Sequence, residues 1–222
     1  MYAKNLLIHY NKTLLSVENS GVTEQDLYRL IEEMPSIQDS KEYLMSYMPL
    51  EADAIQKGCR KLFDALLYYF DNAVSHYAQL HFFYGREPTK DEIHEAIEAL
   101  ELMTEIFEKV YTDGNYGACW KVVIYNYGYL GQYYHRLGDD AKALENLRKC
   151  AALARRFDTM PNETQRTALL FRGTTLNKQE DVAVLLDTSL CKRMTHHMLE
   201  NYPLSDAFKA KPAFREILEI MK

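Results

Sequence analysis

Side chains able to do chemistry are present in this chain but do not converge in its sequence. Seven histidines are scattered along it. His196 and His197 are neighbours, so on a helix they point about 100° apart and cannot easily share one metal ion. Asp91 and His94 have the i, i+3 spacing of half a carboxylate-bridged metal site. No second half is found, and the pair reads as the solvated start of a helix. Arg148, Lys149, Arg155 and Arg156 form a basic flank that could meet an anion, or the negative end of their own helix. The patterns HExxH, GxSxG, GxxxxGK[ST] and GxGxxG are missing. Cys59, Cys119, Cys150 and Cys191 lie far apart without CxxC spacing, which argues against a metal cluster or disulfide framework and fits a reduced cytoplasm. These observations predict no catalytic residue, no metal and no cofactor, and a chain that is not an enzyme. A helical enzyme with a carboxylate site is the weaker alternative, since the acids fall on faces that read as solvated.

Tyrosine is where the side chains do concentrate. Residues 125–140 read YNYGYLGQYYHRLGDD, with five tyrosines in the first ten positions. At helical spacing, Trp120, Val123, Tyr127, Leu130, Gly131 and Tyr134 share one face, and Tyr125, Tyr129, Gln132 and Arg136 the opposite one. An ordinary surface helix has one apolar and one charged face. Rings on both faces and no acid predict a helix that is sandwiched, or packed on one side and lining a groove on the other. For the stripe Tyr125, Tyr129, Gln132 and Arg136 two readings stay open: a ligand groove, or burial against a neighbouring helix. The run Tyr68, Tyr69, Phe70 reads as core. Gly131 lets a neighbouring helix approach, and Gly138 can end the helix in the left-handed conformation. Asp139 or Asp140 then caps the next helix, whose Ala143, Leu144, Leu147 and Cys150 face back.

The elements that must position these residues are helices. In 222 residues there are only nine glycines and six prolines, with 47% apolar and 26% charged residues, an ordinary globular balance that favours long helices. Apolar spacing predicts helices near 23–34, 43–48, 51–84 (with Gly58 as a weak point), 89–110, 120–137, 140–157, 163–172, 180–201 and 212–221, and no convincing strand. The formal net charge of −6 argues against unaided nucleic-acid binding. The start lacks the long apolar core of a signal peptide, and the run 122–134 is too short and too rich in tyrosine to span a membrane. The predicted fold class is all-α, built of antiparallel helical hairpins.

Tyr127, Leu130, Gly131, Tyr134, Gly138, Asp139, Ala143 and Leu147 have the order and spacing of a tetratricopeptide repeat, and residues 124–153 resemble one such unit. Arg155 stands where that repeat usually has proline, so the second helix is expected to run on to Phe157. The segment HYAQLHFFYG with EAIEALELMTEIFEKV resembles a degenerate unit. ETQRTALLFRG and the C-terminal YPLSDAFKAKPAFREILEIMK resemble the segments C-terminal to the repeats in bacterial regulators with a Cro/repressor-class helix-turn-helix. The resemblance implies hairpins stacked as a right-handed superhelix, with residues 1–222 one helical-repeat domain, 1–49 an N-terminal extension and 50–222 the array. It also implies a cytoplasmic peptide- or protein-binding module, the sensor or oligomerisation part of a regulator-like protein, with a homodimer as a possible assembly. No reading helix for DNA is seen. The alternative is a purely structural scaffold whose groove is filled by its own helices.

Overall fold

The computed structural model describes residues 52–83, 87–182 and 189–222, so the helices expected at 23–34 and 43–48 and the extension 1–49 lie outside the described residues. Contacts divide the chain into two units, Met1–Leu62 and Phe63–Lys222. The described residues are predominantly helical. Helix α1 (Ala52–Phe83) runs unbroken through Gly58. Helix α2 (Lys90–Val110) starts at a capping box, in which Thr89 accepts from the Glu92 amide and the Glu92 carboxylate accepts from the Thr89 amide. A 3-10 turn (Gly117–Cys119) leads into α3 (Trp120–Arg136). Gly138, at φ +84°, turns the chain, and the Asp139 carboxylate caps α4 (Asp140–Thr159). Helices α5 (Lys178–Asp181), α6 (Leu190–His196), α7 (Asp206–Lys209) and α8 (Pro212–Ile220) complete the order, and a π turn, His197–Asn201, ends α6.

Helices α3 and α4 form the antiparallel hairpin around which the second unit is assembled. Its core joins Leu100, Met103 and Phe107 of α2 to Trp120, Ile124 and Leu130 of α3, with Leu147, Cys150 and Ala151 of α4. Met194, Phe208, Phe214 and Ile217 close it from the C-terminal side. Each such large apolar side chain contributes about 1.5–3 kcal/mol on burial. Polar tethers fix the remaining elements. Lys211 at the start of α8 and His135 at the end of α3 both reach Asp140, at 2.5 and 2.7 Å.

Three expectations are corrected. The segment 163–172, read as a short helix, is instead an antiparallel strand pair, β1 (Glu163–Gln165) with β2 (Thr175–Asn177), around a 3-10 turn, Leu169–Phe171. Gly173, at φ +80°, makes its return. The cause is tertiary. Arg166, only 6% exposed, binds Asp64 of α1 through two bonds of 2.8 and 3.0 Å and lies 3.6 Å over the Phe171 ring, while the Tyr111 hydroxyl donates to the same Asp64 at 2.8 Å. Asp113 receives the Thr167 and Ala168 amides. The helix read over 180–201 begins only at Leu190, where the Ser189 hydroxyl caps it and Asp158 receives the amides of Leu190 and Cys191. Tyr69 and Phe70, read as core, are 60% and 48% exposed, because α1 turns Leu67, Asp71, Val74 and Ala78 inward instead.

Candidate functional groove

On α3, Gly131 decides how close α4 can come. A Cβ there would lie 2.5 Å from Leu147 Cγ, so this backbone approach tolerates only glycine. The close approach leaves α3 exposed along one edge, between α2 and α4, as a groove of about 280 Å³. Its floor is Tyr127, Leu130 and Tyr134 of α3. One wall is Glu101, Thr104, Glu105 and Glu108 of α2, and the other is Lys142, Glu145, Asn146 and Lys149 of α4.

The two ends of the groove repeat each other. At one end the Tyr134 hydroxyl donates to Glu101, and Lys142 lies 4.7 Å over the Tyr134 ring. At the other, the Tyr127 hydroxyl donates to Glu108 at 2.7 Å, and Lys149 lies 5.6 Å over the Tyr127 ring. Glu101 and Glu108, Tyr127 and Tyr134, and Lys142 and Lys149 are each seven residues apart, two helical turns or about 10.5 Å along each helix. The two Glu–Tyr–Lys sets therefore lie side by side along the groove. Burial first, then the adjacent Glu108 carboxylate, pushes the Tyr127 hydroxyl well above the ordinary phenol range; burial and Glu101 do the same to Tyr134. Both tyrosines thus keep their protons and remain donors.

A census of hydrogen-bonding capacity shows what is left over. Lys142 donates to the Tyr134 hydroxyl at 3.3 Å, and Lys149 pairs with Glu145 at 3.3 Å. Midway between the ends, Asn146 is 9% exposed and gives its amide NH2 to the Lys142 carbonyl at 2.9 Å. Its amide oxygen has no partner among the described residues and faces the groove. Four carboxylates against two ammonium groups leave the lining at −2. The surplus is in acceptors.

The residues expected in a groove lie elsewhere. The Tyr125 hydroxyl meets His197 Nε2 at 3.2 Å, and burial lowers the His197 pKa, helped by His196 and Arg193. Tyr129 packs between the rings of Tyr133 and Tyr202. Gln132 is buried, and Arg136 pairs with Glu87 at 3.2 Å. Tyr202 is seated over Gly128, where a Cβ would lie 2.3 Å from its hydroxyl oxygen. This face, expected to be open if it held a ligand, is thus half-covered by the chain's own residues 197–202. Of the residues assigned to repeat packing, Leu130, Gly131, Ala143 and Leu147 are buried between helices and Gly138 makes the turn, but Tyr127 and Tyr134 also floor the groove.

The remaining candidates do not converge. Arg148 pairs with Glu216, and Arg156 donates to the Asp113 carbonyl. Asp91 and His94 are exposed at the start of α2. Among the described residues no group of three His, Cys, Asp or Glu is placed to hold a metal ion, and no helix is long and apolar enough to cross a membrane. Glu101, Glu108, Lys142 and Asn146 do not stand out in the sequence. Their signal is the repeated spacing of seven on three successive helices, which becomes visible only once the helices are set side by side. No family model, curated protein or solved structure matches the chain.

Proposed function

We propose that the chain is a non-enzymatic, cytoplasmic helical module that binds a peptide or protein segment in the α2–α3–α4 groove, in the manner of a tetratricopeptide-like superhelix serving as the sensor part of a regulator-like protein. The carrying observation is the acceptor surplus: the unpartnered Asn146 amide oxygen midway between two Glu–Tyr–Lys sets, with two carboxylates in excess. A ligand that fits must bring donors. An extended basic segment does so, offering two ammonium or guanidinium groups to Glu101 and Glu108 and a backbone N–H to Asn146. In a polyproline II conformation, side chains three residues apart point the same way about 9.3 Å apart, close to the spacing of the two sets. The tyrosine floor adds contact area at small rotamer cost.

The experiment is fluorescence anisotropy with two labelled peptides on a neutral proline-rich host, one carrying Lys-Pro-Pro-Lys and the other Glu-Pro-Pro-Glu. The lysine peptide is expected to bind, to weaken with added salt, and to lose binding when Glu101 and Glu108 are both changed to Gln. Equal binding of both peptides, or none of either, counts against this reading. The second reading, a structural scaffold with a self-filled groove, is favoured by residues 197–202 lying over the Tyr125–Tyr129 face.

A further inference from the structure

Helix α1 carries two stripes at heptad spacing. The inward one, Asp64, Leu67, Asp71, Val74 and Ala78, faces the body of the unit; Asn126 donates to Asp71 and Tyr133 to the Ala78 carbonyl. The outward one, Phe63, Leu66, Phe70, Ala73 and Tyr77, steps by 3, 4, 3 and 4 residues and is exposed, with Phe63 at 39%, Phe70 at 48% and Tyr77 at 51%. A straight helix drifts about 20° per heptad away from such a stripe, and only a partner helix wound around it keeps the seam in register. From 63 to 77 the only formal charges are Asp64 and Asp71, both on the inward stripe, and Asp71 is wholly buried. The outward seam therefore carries no charge to select a different partner and none to repel an identical one.

Size argues the same way. With aromatic side chains of about 150–250 Å² each, the exposed rings and Leu66 present roughly 400–500 Å² per copy. Doubled, that approaches the lower end of specific interfaces, so it suits a dimer that dissociates in the micromolar range. We infer that the outward face of α1 is a coiled-coil seam for a second copy of this chain. An antiparallel register suits it, with Leu66 against Phe70 of the second copy and the bulky Phe63 against its small Ala73. This assembly does not depend on the groove.

Sedimentation of the full-length chain over a dilution series tests the inference. The parent protein is expected to pass from dimer to monomer in the micromolar range. Phe70→Glu places a carboxylate in the seam of both copies and is expected to raise the dissociation constant at least about a hundredfold. Ala73→Glu, at an exposed position, provides the same reading should Phe70→Glu disturb the fold. A parent chain that is monomeric at every concentration overturns the inference, as does a dimer that both variants leave intact.

Discussion

Two glycines three residues apart on α3 lead to opposite outcomes. Gly131 admits Leu147, so α4 packs closely and the edge of α3 bearing Tyr127 and Tyr134 stays open as a groove. Gly128 admits Tyr202, so the face bearing Tyr125 and Tyr129 is roofed by a segment some seventy residues downstream. The same residue type thus floors a groove on one face and builds core on the other, and what differs is the partner of each hydroxyl. On the open side the hydroxyls are held by carboxylates that still have lone pairs to offer. On the covered side Tyr125 meets a histidine, and the buried Tyr202 hydroxyl has no partner among the described residues. Aromatic content alone does not mark a binding face; spare hydrogen-bonding capacity at the surface does.

The largest effect is expected on the covered side. Tyr202→Ala removes the roof over Gly128 and should cost about 3–5 kcal/mol in denaturant unfolding, as large aromatic truncations do. Tyr202→Phe should be neutral or slightly stabilising, since the lost hydroxyl is unpaired among the described residues. A large loss for the Phe variant would mean that the hydroxyl has a partner after all.

Next comes the buried carboxyl that joins α1 to the same helix. Burial pushes Asp71 from 3.8 up to about 6, against the lowering bonds from Asn126 and Ser75. The folded chain thus holds this proton more tightly than the unfolded one. Its stabilising share is complete below pH 3.8, fades as the pH rises to about 6, and is absent above. The total is on the order of 3 kcal/mol. Asp71→Asn should therefore be more stable than the parent at pH 7 and lose that advantage towards pH 4, measured as the difference between their unfolding profiles. A constant difference across this range would show that Asp71 ionises as freely as in the unfolded chain.

On the groove side, Gly131→Leu should destabilise by about 1–3 kcal/mol through overpacking against Leu147. An unchanged melting temperature would place α4 further from α3 than the contact requires.

Much of this contrast is legible in the sequence, and the illegible part has a physical cause. The left-handed turn at Gly138, the Asp139 cap and the Gly131 contact depend on residues within about twenty positions, so local spacing reveals them. The roof over Tyr125 and Tyr129 depends on residues near 200, and no periodicity reports a contact across 72 positions. The strand pair 163–177 escapes because its strands are three residues long and its anchor, Asp64, lies 102 positions from Arg166. Spacing marks α1 as a helix, but with one stripe where it has two. The groove itself is half-legible: its tyrosines stand out as packing residues, while the glutamates and Asn146 that give it spare acceptors read as solvated positions.

Smaller in stability but sharper in meaning is Asn146→Ala. It removes one bond to the Lys142 carbonyl, worth about 1 kcal/mol, and should leave the fold intact. Binding of the lysine peptide should nevertheless fall, because the acceptor aimed into the groove is gone. Unchanged affinity would remove Asn146 from the site.

The contrast between the two faces is tested most directly by amide NMR. The Lys-Pro-Pro-Lys peptide is titrated into the isotope-labelled chain, and the shifted resonances are mapped. Shifts confined to the groove, at Glu101, Glu108, Tyr127, Asn146 and their neighbours, with Tyr125, Tyr129, His197 and Tyr202 unmoved, are the result expected here. Shifts centred on Tyr125, Tyr129 and Tyr202 instead would mean that the roof opens and the ligand enters beneath it, and would contradict the assignment of the groove.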